Sequence, residues 1–237
     1  MNRFILFAVL CIGANAAQAG AWLSGGVTHS QGKYGFNQIT SSTELPIAMG
    51  IDGTDFGFRA ESGLAHVSGP ADFITAGGAL RRQSHGKQLA AQNPAQASRT
   101  VNGIADTTLT GTWHAIDIPG NGISVDFSAG VKIATGDQNK GLSTGATDYL
   151  LGGSFYFDAG KMTYGADYTH RFTGGGKSFR DTNEAAFTIE RVFADHAAMG
   201  VTLDWSQSIE NGAANFTVVD GFYSQPLASS TSLGLFA

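Results

Sequence analysis

The chain has 237 residues, enough for one domain, a net charge of −5 and only 14% charged residues. Its 33 glycines are about twice the usual share. The weakly acidic balance, without a basic cluster, argues against nucleic acid as a partner. No apolar run is long enough to cross a bilayer as a helix, so any membrane spanning must be by strands.

The N-terminus has the pattern of a secretory leader. Asn2 and Arg3 precede an apolar run at residues 4–12, and Ala17-Gln18-Ala19 offers a small-residue cleavage site. The apolar run is too short for a transmembrane helix. We therefore predict a cleaved signal peptide over residues 1–19.

Cysteine and histidine give no sign of a reactive or metal-binding centre. Cys11, the one cysteine of the sequence, lies in the predicted leader. The predicted mature chain, residues 20–237, therefore has no disulfide, catalytic thiol or cysteine-bound metal. The histidines are scattered without metal-ligand spacing. We predict no enzyme, no metal and no cofactor.

Eight segments alternate apolar and polar residues along the chain, and three more strands occupy residues 122–172. The eight segments are residues 21–29, 34–51, 54–67, 104–117, 184–193, 197–209, 213–223 and 229–236. A period of two is the pattern of a sheet with unlike faces. An apolar, aromatic face opposite a small, polar face is typical of a transmembrane β-barrel, apolar towards lipid and polar towards a lumen.

The strands number eleven, and their connections alternate between short turns and longer loops, as in outer-membrane barrels. Single-chain bacterial barrels close with an even number of strands. We therefore predict an all-β, antiparallel barrel of about twelve strands in the complete protein. Because eleven strands leave one strand missing, we expect an open edge at residues 21–29 and at residues 229–236. The chain also ends without a terminal aromatic residue.

Residues 69–102 form the longest predicted loop, on the surface or entering the lumen. Its basic side chains are Arg81, Arg82, Lys87 and Arg99. They are either solvated or in contact with lipopolysaccharide phosphates, or they narrow the pore. Outer-membrane lipid and lipopolysaccharide are therefore the expected surroundings.

Charged residues on the polar face are the candidate functional residues. They are Arg59, Glu61, Asp106, Asp126, Lys132, Asp148, Asp167, Arg171, Glu190 and Asp204. They either stabilise the barrel as paired charges or line a solute path. Charge on the lipid face would cost about 2–4 kcal/mol near the membrane midplane, so their confinement to one face is expected for any barrel.

Turn geometry predicts a row of charges in this lumen. If Ala159-Gly160 is the turn, Asp148 lies opposite Arg171 on the next strand. Matching faces place Lys132 opposite Asp148 on the other side. One carboxylate between two cations would leave a spare positive charge that attracts an anionic or electron-rich solute, or the row only fixes the register.

Three motifs carry a resemblance to a known family. They are Gly103-Ile104-Ala105-Asp106-Thr107-Thr108-Leu109, Gly130-Val131-Lys132-Ile133-Ala134-Thr135-Gly136-Asp137 and Leu142-Ser143-Thr144-Gly145-Ala146-Thr147-Asp148-Tyr149. They are similar to motifs of the outer-membrane transporter family named after the meta-cleavage pathway of phenol degradation. The sequence departs from that family by Ala134, where proline is common, and by its end. The resemblance implies a barrel of about twelve strands acting as a channel.

We therefore expect a protein of the outer membrane that is a passive channel for small hydrophobic or aromatic molecules, in either direction. One alternative is a structural or adhesive barrel with a filled lumen. Another is an outer-membrane hydrolase, for which His29-Ser30 gives only a faint signal because no supporting acid or Asn accompanies it. A soluble β-sandwich is the remaining alternative.

Overall fold

A computed structural model of the chain describes residues 5–14, 19–32, 39–69, 73–76, 79–82, 99–118, 121–175, 179–194, 196–209, 215–228 and 231–236. The strands are β1 (Ile5–Ala14), β2 (Ala19–Gly32), β3 (Thr40–Gly53), β4 (Phe56–Gly69), β5 (Phe73–Ala76), β6 (Ala79–Arg82), β7 (Arg99–Ile104), β8 (Thr107–Ile118), β9 (Ile123–Ile133), β10 (Asp148–Ala159), β11 (Met162–Phe172), β12 (Thr182–Val192), β13 (Ala198–Ser206), β14 (Phe216–Ala228) and β15 (Thr231–Phe236). A 3₁₀ turn, Gln138–Lys140, lies between β9 and β10. In this described part of the chain, no helix has the length and apolar character that a membrane crossing needs.

The main strands form one closed antiparallel ring. β1 to β4 pair in chain order, as do β8 to β15, and β15 pairs with β1. β4 pairs with both β7 and β8, which lie one after the other along it. The ring thus has twelve positions within the described residues. The predicted all-β antiparallel barrel of about twelve strands is confirmed.

Eleven of these positions are the segments that alternation predicts, and the twelfth is β1. This strand pairs with β2 on one side and with β15 on the other. The open edges expected at residues 21–29 and 229–236 are therefore both covered, by residues predicted to be a leader. A cleaved leader cannot also be a strand of the mature barrel. Its removal would leave β2 and β15 each with an unpaired edge.

The two ends of the ring differ in the length of their connections. At one end, called here the short-turn end, the strands are joined by residues 54–55, 119–122, 160–161, 193–197 and 229–230. At the other, the long-loop end, they are joined by residues 33–39, 70–98, 134–147, 173–181 and 207–215. This asymmetry is the one that the sequence predicts.

Residues 69–102 are not a continuous loop. β4 extends to Gly69, β7 begins at Arg99, and β5 and β6 form a separate hairpin between them. The hairpin contributes nothing to the ring, because it pairs only within itself in the described residues.

The two faces of the ring differ in chemistry. Large apolar side chains project from the outer face, where Phe56 is 68% exposed and Val219 65%. Other exposed members include Leu45, Ile47, Met49, Phe58, Trp113, Phe127, Tyr149, Leu151, Phe155, Tyr168, Phe187, Val201 and Leu203. Polar and charged side chains occupy the alternate, inner positions and are less exposed because the concave face is crowded. The outer face therefore carries the apolar surface that a soluble protein would bury.

The register between β10 and β11 differs from the predicted one by two residues. Ala159 pairs with Met162, so the two-residue turn consists of Gly160 and Lys161 rather than Ala159 and Gly160. Gly160 has φ 71°, the conformation that a hairpin with glycine at its first central position requires. Ala159 therefore stays in the ladder, and Asp158 faces Thr163.

The leader can be tested on the mature protein. We expect cleavage after Ala19, so that the purified protein begins at Gly20, because the small residues before this bond suit a signal peptidase. Intact-mass measurement and N-terminal sequencing of membrane-extracted protein check this. A protein that retains residues 5–14 would show instead that β1 is a permanent strand of the barrel.

Candidate functional site

Five charged side chains from neighbouring strands meet on the inner face at the long-loop end. Lys132 Nζ lies 2.9 Å from Asp106 Oδ2 and 3.1 Å from Asp148 Oδ2. Arg171 Nη1 lies 3.6 Å from the same Asp148 oxygen, and its Nη2 lies 3.3 Å from Glu184 Oε1. We call this row the charge chain. It crosses the wall from the start of β8 to β12.

The charge chain is shielded from solvent along most of its length. The side chains of Lys132 and Asp148 are each 4% exposed, that of Arg171 is 9% and that of Asp106 is 12%. Only Glu184, at 34%, is partly open. Charges withdrawn from water to this extent are stable only when they are paired and hydrogen bonded, and each of these is.

Backbone groups complete the charge chain. The Gly136 N–H donates to Asp106 Oδ1 at 3.1 Å, and the Gly174 N–H donates to Asp148 Oδ1 at 3.1 Å. Asp106 and Asp148 each bind a cation through one carboxylate oxygen and a loop N–H through the other. The charge chain therefore holds two of the long connections against the wall.

The structure brings together the predicted row of Lys132, Asp148 and Arg171. Lys132 lies directly opposite Asp148, as predicted. Arg171 lies opposite Leu150 and reaches Asp148 diagonally, within range of a long side chain. The predicted spare positive charge is wrong, because Asp106 and Glu184 extend the row to three carboxylates and two cations.

Residues 136–147, between β9 and β10, turn inwards and are called here the inner segment. The Asp137 side chain caps the 3₁₀ turn, and the Asp137 carbonyl accepts a hydrogen bond from Leu142 N at 3.0 Å. Gly141 and Gly145 both have φ 72°, which reverses the chain on either side of Leu142. The result is a compact fold rather than an extended loop.

Leu142 packs into the inner wall. It is 1% exposed and forms a buried cluster with Ala65 and Val67 of β4, against which Val101 of β7 also packs. A Cβ atom at Gly103 would lie 2.5 Å from Leu142 Cδ1, so any larger residue there requires the leucine side chain to shift. We call these four wall residues the Leu142 socket.

Polar contacts hold the rest of the inner segment. Lys132 Nζ donates to Thr144 Oγ1 at 2.8 Å, so the charge chain and the inner segment share this lysine. Arg99 Nη1 donates to the Asn139 carbonyl at 3.1 Å. The inner segment is thus fixed to the wall by an apolar contact and by charged side chains.

Inward-facing charges outside the charge chain are more accessible. Arg59 and Glu61 form an ion pair at 2.6 Å with side chains 54% and 42% exposed. His114 Nδ1 lies 2.9 Å from Asp126 Oδ1, with side chains 30% and 22% exposed. These pairs are therefore open to water, whereas most of the charge chain is shielded from it.

Three inward-facing aromatic rings lie against the wall, each over a glycine directly across the strand pair. The pairs are Trp22 with Gly50, Tyr156 with Gly165, and Phe222 with Gly200. A Cβ atom at Gly50 or Gly200 would lie 2.5 Å from the ring opposite. A glycine at each site therefore lets the ring lie flat instead of projecting into the lumen.

The other predicted lumen residues lie on the inner face by alternation but outside the charge chain. They are Arg59, Glu61, Asp126, Asp167, Glu190 and Asp204. Asp167 accepts a hydrogen bond from Tyr156 Oη at 3.1 Å. Sequence reasoning missed Asp220, which alternation also places inside, because the inner positions beside it in β14 are apolar and obscure the period.

Leu142 was missed as well. A loop has no hydrophobic period, so alternation says nothing about it. The available signal was a single large apolar side chain in an otherwise polar, glycine-rich connection.

The predicted basic patch is divided. Arg81 and Arg82 belong to β6 of the separate hairpin, whereas Arg99 binds the inner segment. Lys87 lies outside the described residues. Contact of this patch with lipopolysaccharide stays a prediction.

His29 and Ser30, which gave the faint hydrolase signal, do not form a catalytic pair. His29 and Ser30 are successive residues of β2, so their side chains point to opposite faces. His29 Nδ1 instead lies 2.9 Å from Thr43 Oγ1. Among the described residues, no group of three His, Cys, Asp or Glu side chains could hold a metal ion.

The sequence matches no protein-family model and no curated protein. Among solved structures, the chain is similar to one described as the CymD monoaromatic hydrocarbon channel, with a TM-score of 0.48 and 8% sequence identity. The match covers 99% of this chain and 85% of that one.

The charge chain should contribute strongly to stability. We expect Asp148→Ala to lower the free energy of unfolding by roughly 3–5 kcal/mol, because it leaves buried cations without their shared carboxylate. Glu61→Ala, in the exposed ion pair, should cost roughly 0–1 kcal/mol. Urea titrations in lipid vesicles, followed by tryptophan fluorescence, compare the two variants. Equal losses of unfolding free energy in the two variants would show that the charge chain contributes no more to stability than the exposed Arg59–Glu61 pair.

Proposed function

We propose that this chain is a β-barrel of the outer membrane that passes small solutes through its lumen. The observation that carries the proposal is the contrast between the two faces of the closed ring. Large apolar side chains cover the outside, whereas ion pairs and hydrogen-bonded polar groups line the inside. Such an outer surface is favourable in lipid and unfavourable in water.

The outer face also has the layered arrangement of a membrane barrel. Towards the long-loop end, Tyr168 Oη and His170 Nδ1 hydrogen bond to Asn183 Oδ1 outside the ring. Towards the short-turn end, the ring centroids of Phe157 and Tyr164 lie 6.4 Å apart on the outer face. Aromatic and polar side chains at both ends of an aliphatic band are typical of the two membrane interfaces.

Arg191, the charge on the outer face of β12, fits this arrangement. It lies near the end of its strand, and its guanidinium is 5.5 Å from the Phe193 ring centroid. A cation near the interface costs little, because its long side chain reaches the headgroups.

The inner wall favours neutral or cationic solutes over anions. Beyond the charge chain, the inward carboxylates of the described strands include Glu44, Asp52, Glu61, Asp126, Asp167, Glu190, Asp204 and Asp220, against Arg59 and Arg99. A lumen of one sign repels ions of that sign and concentrates their counterions. The aromatic rings beside the glycines add apolar surface for hydrophobic or aromatic solutes.

The family resemblance adds to the proposal. The motifs that carry it contribute Gly103, Asp106, Lys132, Leu142 and Asp148, all of which meet at the inner segment. We therefore infer that the chain is a member of the transporter family named after the meta-cleavage pathway of phenol degradation. A phenolic substrate does not follow from this placement.

A structural or adhesive barrel is the second candidate. The burial of Leu142 and Lys132, which hold the inner segment against the inner wall, favours it, because a filled end would block transport. In that case the loops, rather than the lumen, would carry the function.

Membrane residence has a direct test. We expect the protein to fractionate with outer membranes and to migrate differently in electrophoresis before and after boiling, because a closed strand ladder in a dry environment resists detergent. Recovery as a soluble monomer without detergent would contradict the barrel in lipid.

Ion preference tests the lumen. In planar bilayers under a potassium chloride gradient, we expect a reversal potential that indicates cation preference, because carboxylates dominate the wall. Asp126→Asn with Asp204→Asn should reduce this preference, whereas Asp55→Asn in the short β3–β4 turn is the control. Anion preference would contradict the proposed path, and a folded protein that never conducts would favour the structural barrel.

A further inference from the structure

We infer that the inner segment is the constriction of the barrel and that Leu142, in its socket, determines which solutes pass. The inference rests on the proposed function as a channel. The carrying observation is that residues 141–144 are all buried, although they belong to a connection rather than to a strand. A connection buried on the inner face occupies space that a solute would otherwise cross.

The position of the constriction follows from the contacts. The Leu142 socket and Lys132 both belong to the inner wall at the long-loop end. There the side chains of Asp106, Lys132, Asp148 and Arg171 are 12% exposed or less, whereas those of His114 and Asp126, nearer the short-turn end, are 30% and 22% exposed. The narrowest passage is therefore beside the inner segment.

Leu142 is the apolar side chain that holds the inner segment in its socket. Glycines of positive φ flank it on both sides and impose the turn, with Gly141 N donating to the Gln138 carbonyl and Gly145 N to Ser143 Oγ. Opposite Leu142 the wall has Gly103, where an added Cβ atom would lie 2.5 Å from Leu142 Cδ1 and would force the leucine to shift. Removing the leucine, or filling the socket, should therefore displace residues 142–144 without disturbing the strand ladder.

Two variants test the socket, one by emptying it and one by filling it. Leu142→Ala removes the side chain that fills it, and Gly103→Ala places a methyl group where Leu142 Cδ1 now lies. Leu64→Ala is the matched control for the first, because Leu64 is on β4 beside Ala65 but 50% exposed on the outer face. Gly111→Ala is the control for the second, because its added Cβ meets nothing closer than 4.0 Å.

Bilayer conductance and liposome swelling with sugars of increasing size measure the passage. We expect both socket variants to raise conductance and to shift the size limit towards larger sugars, while both controls match the parent protein. Folding of every variant is checked by the change in electrophoretic mobility on boiling. A conducting parent protein with unchanged socket variants would overturn the constriction and leave the channel intact.

Thiol labelling distinguishes an incorrect constriction from the absence of a channel. In a Cys11→Ser background, Ser143→Cys, at a fully buried position beside an intact Leu142, should resist a water-soluble maleimide, whereas Lys140→Cys, which is exposed, should react at once. Adding Leu142→Ala should make the thiol at position 143 reactive. Immediate labelling of Ser143→Cys with Leu142 intact would overturn the socket. A protected thiol in a barrel that conducts in no variant would refute both the channel and its constriction.

Discussion

The shared carboxylate of Asp148 is the interaction on which the long-loop end depends. One of its oxygens is within 3.1 Å of Lys132 and 3.6 Å of Arg171, and the other accepts the Gly174 N–H. Three strands and one connection are therefore held through a single buried group. Loss of Asp148 leaves the cations of Lys132 and Arg171 without their shared carboxylate in a place shielded from water, which costs more than loss of one partner of the exposed pair of Arg59 and Glu61.

The same lysine links this electrostatic arrangement to the shape of the lumen. Lys132 binds Asp148 and Asp106 as a cation, and it donates a hydrogen bond to Thr144 of the inner segment. The charges thus join neighbouring strands and also reach the inner segment, through Thr144. If the proposed channel holds, the two roles that the sequence analysis treated as alternatives belong to the same residues, since the group that pairs the strands also positions the proposed constriction.

Alternation along the sequence predicted eleven strands, their faces and the asymmetry of their connections, because a sheet with one apolar face leaves a period of two in every strand. It placed Lys132 opposite Asp148 for the same reason, since only matching faces pair. Alternation failed where the structure depends on residues that follow no period of two. The β10–β11 register depends on which residue takes positive φ, and Gly160 rather than Ala159 is the first central residue of that turn. Leu142 could not be placed, because a connection has no faces. β1 was assigned to a leader, since a strand and a leader can share the same short apolar run.

Glycine at particular sites explains how the barrel has large rings inside and still has a lumen. A ring opposite a side chain must project inwards, whereas Trp22, Tyr156 and Phe222 lie over glycines and keep close to the wall. Gly103 likewise leaves room for the Leu142 side chain. Because Leu142 belongs to a connection rather than to a strand, its packing against the wall brings that connection into the interior. In both cases the missing Cβ atom of a glycine on one strand leaves room for a large side chain beside it. Where the neighbour is a strand residue, its ring stays against the wall, and where it belongs to a connection, that connection enters the interior. Gly50, Gly165, Gly200 and Gly103 therefore shape the interior, a role separate from that of the turn glycines.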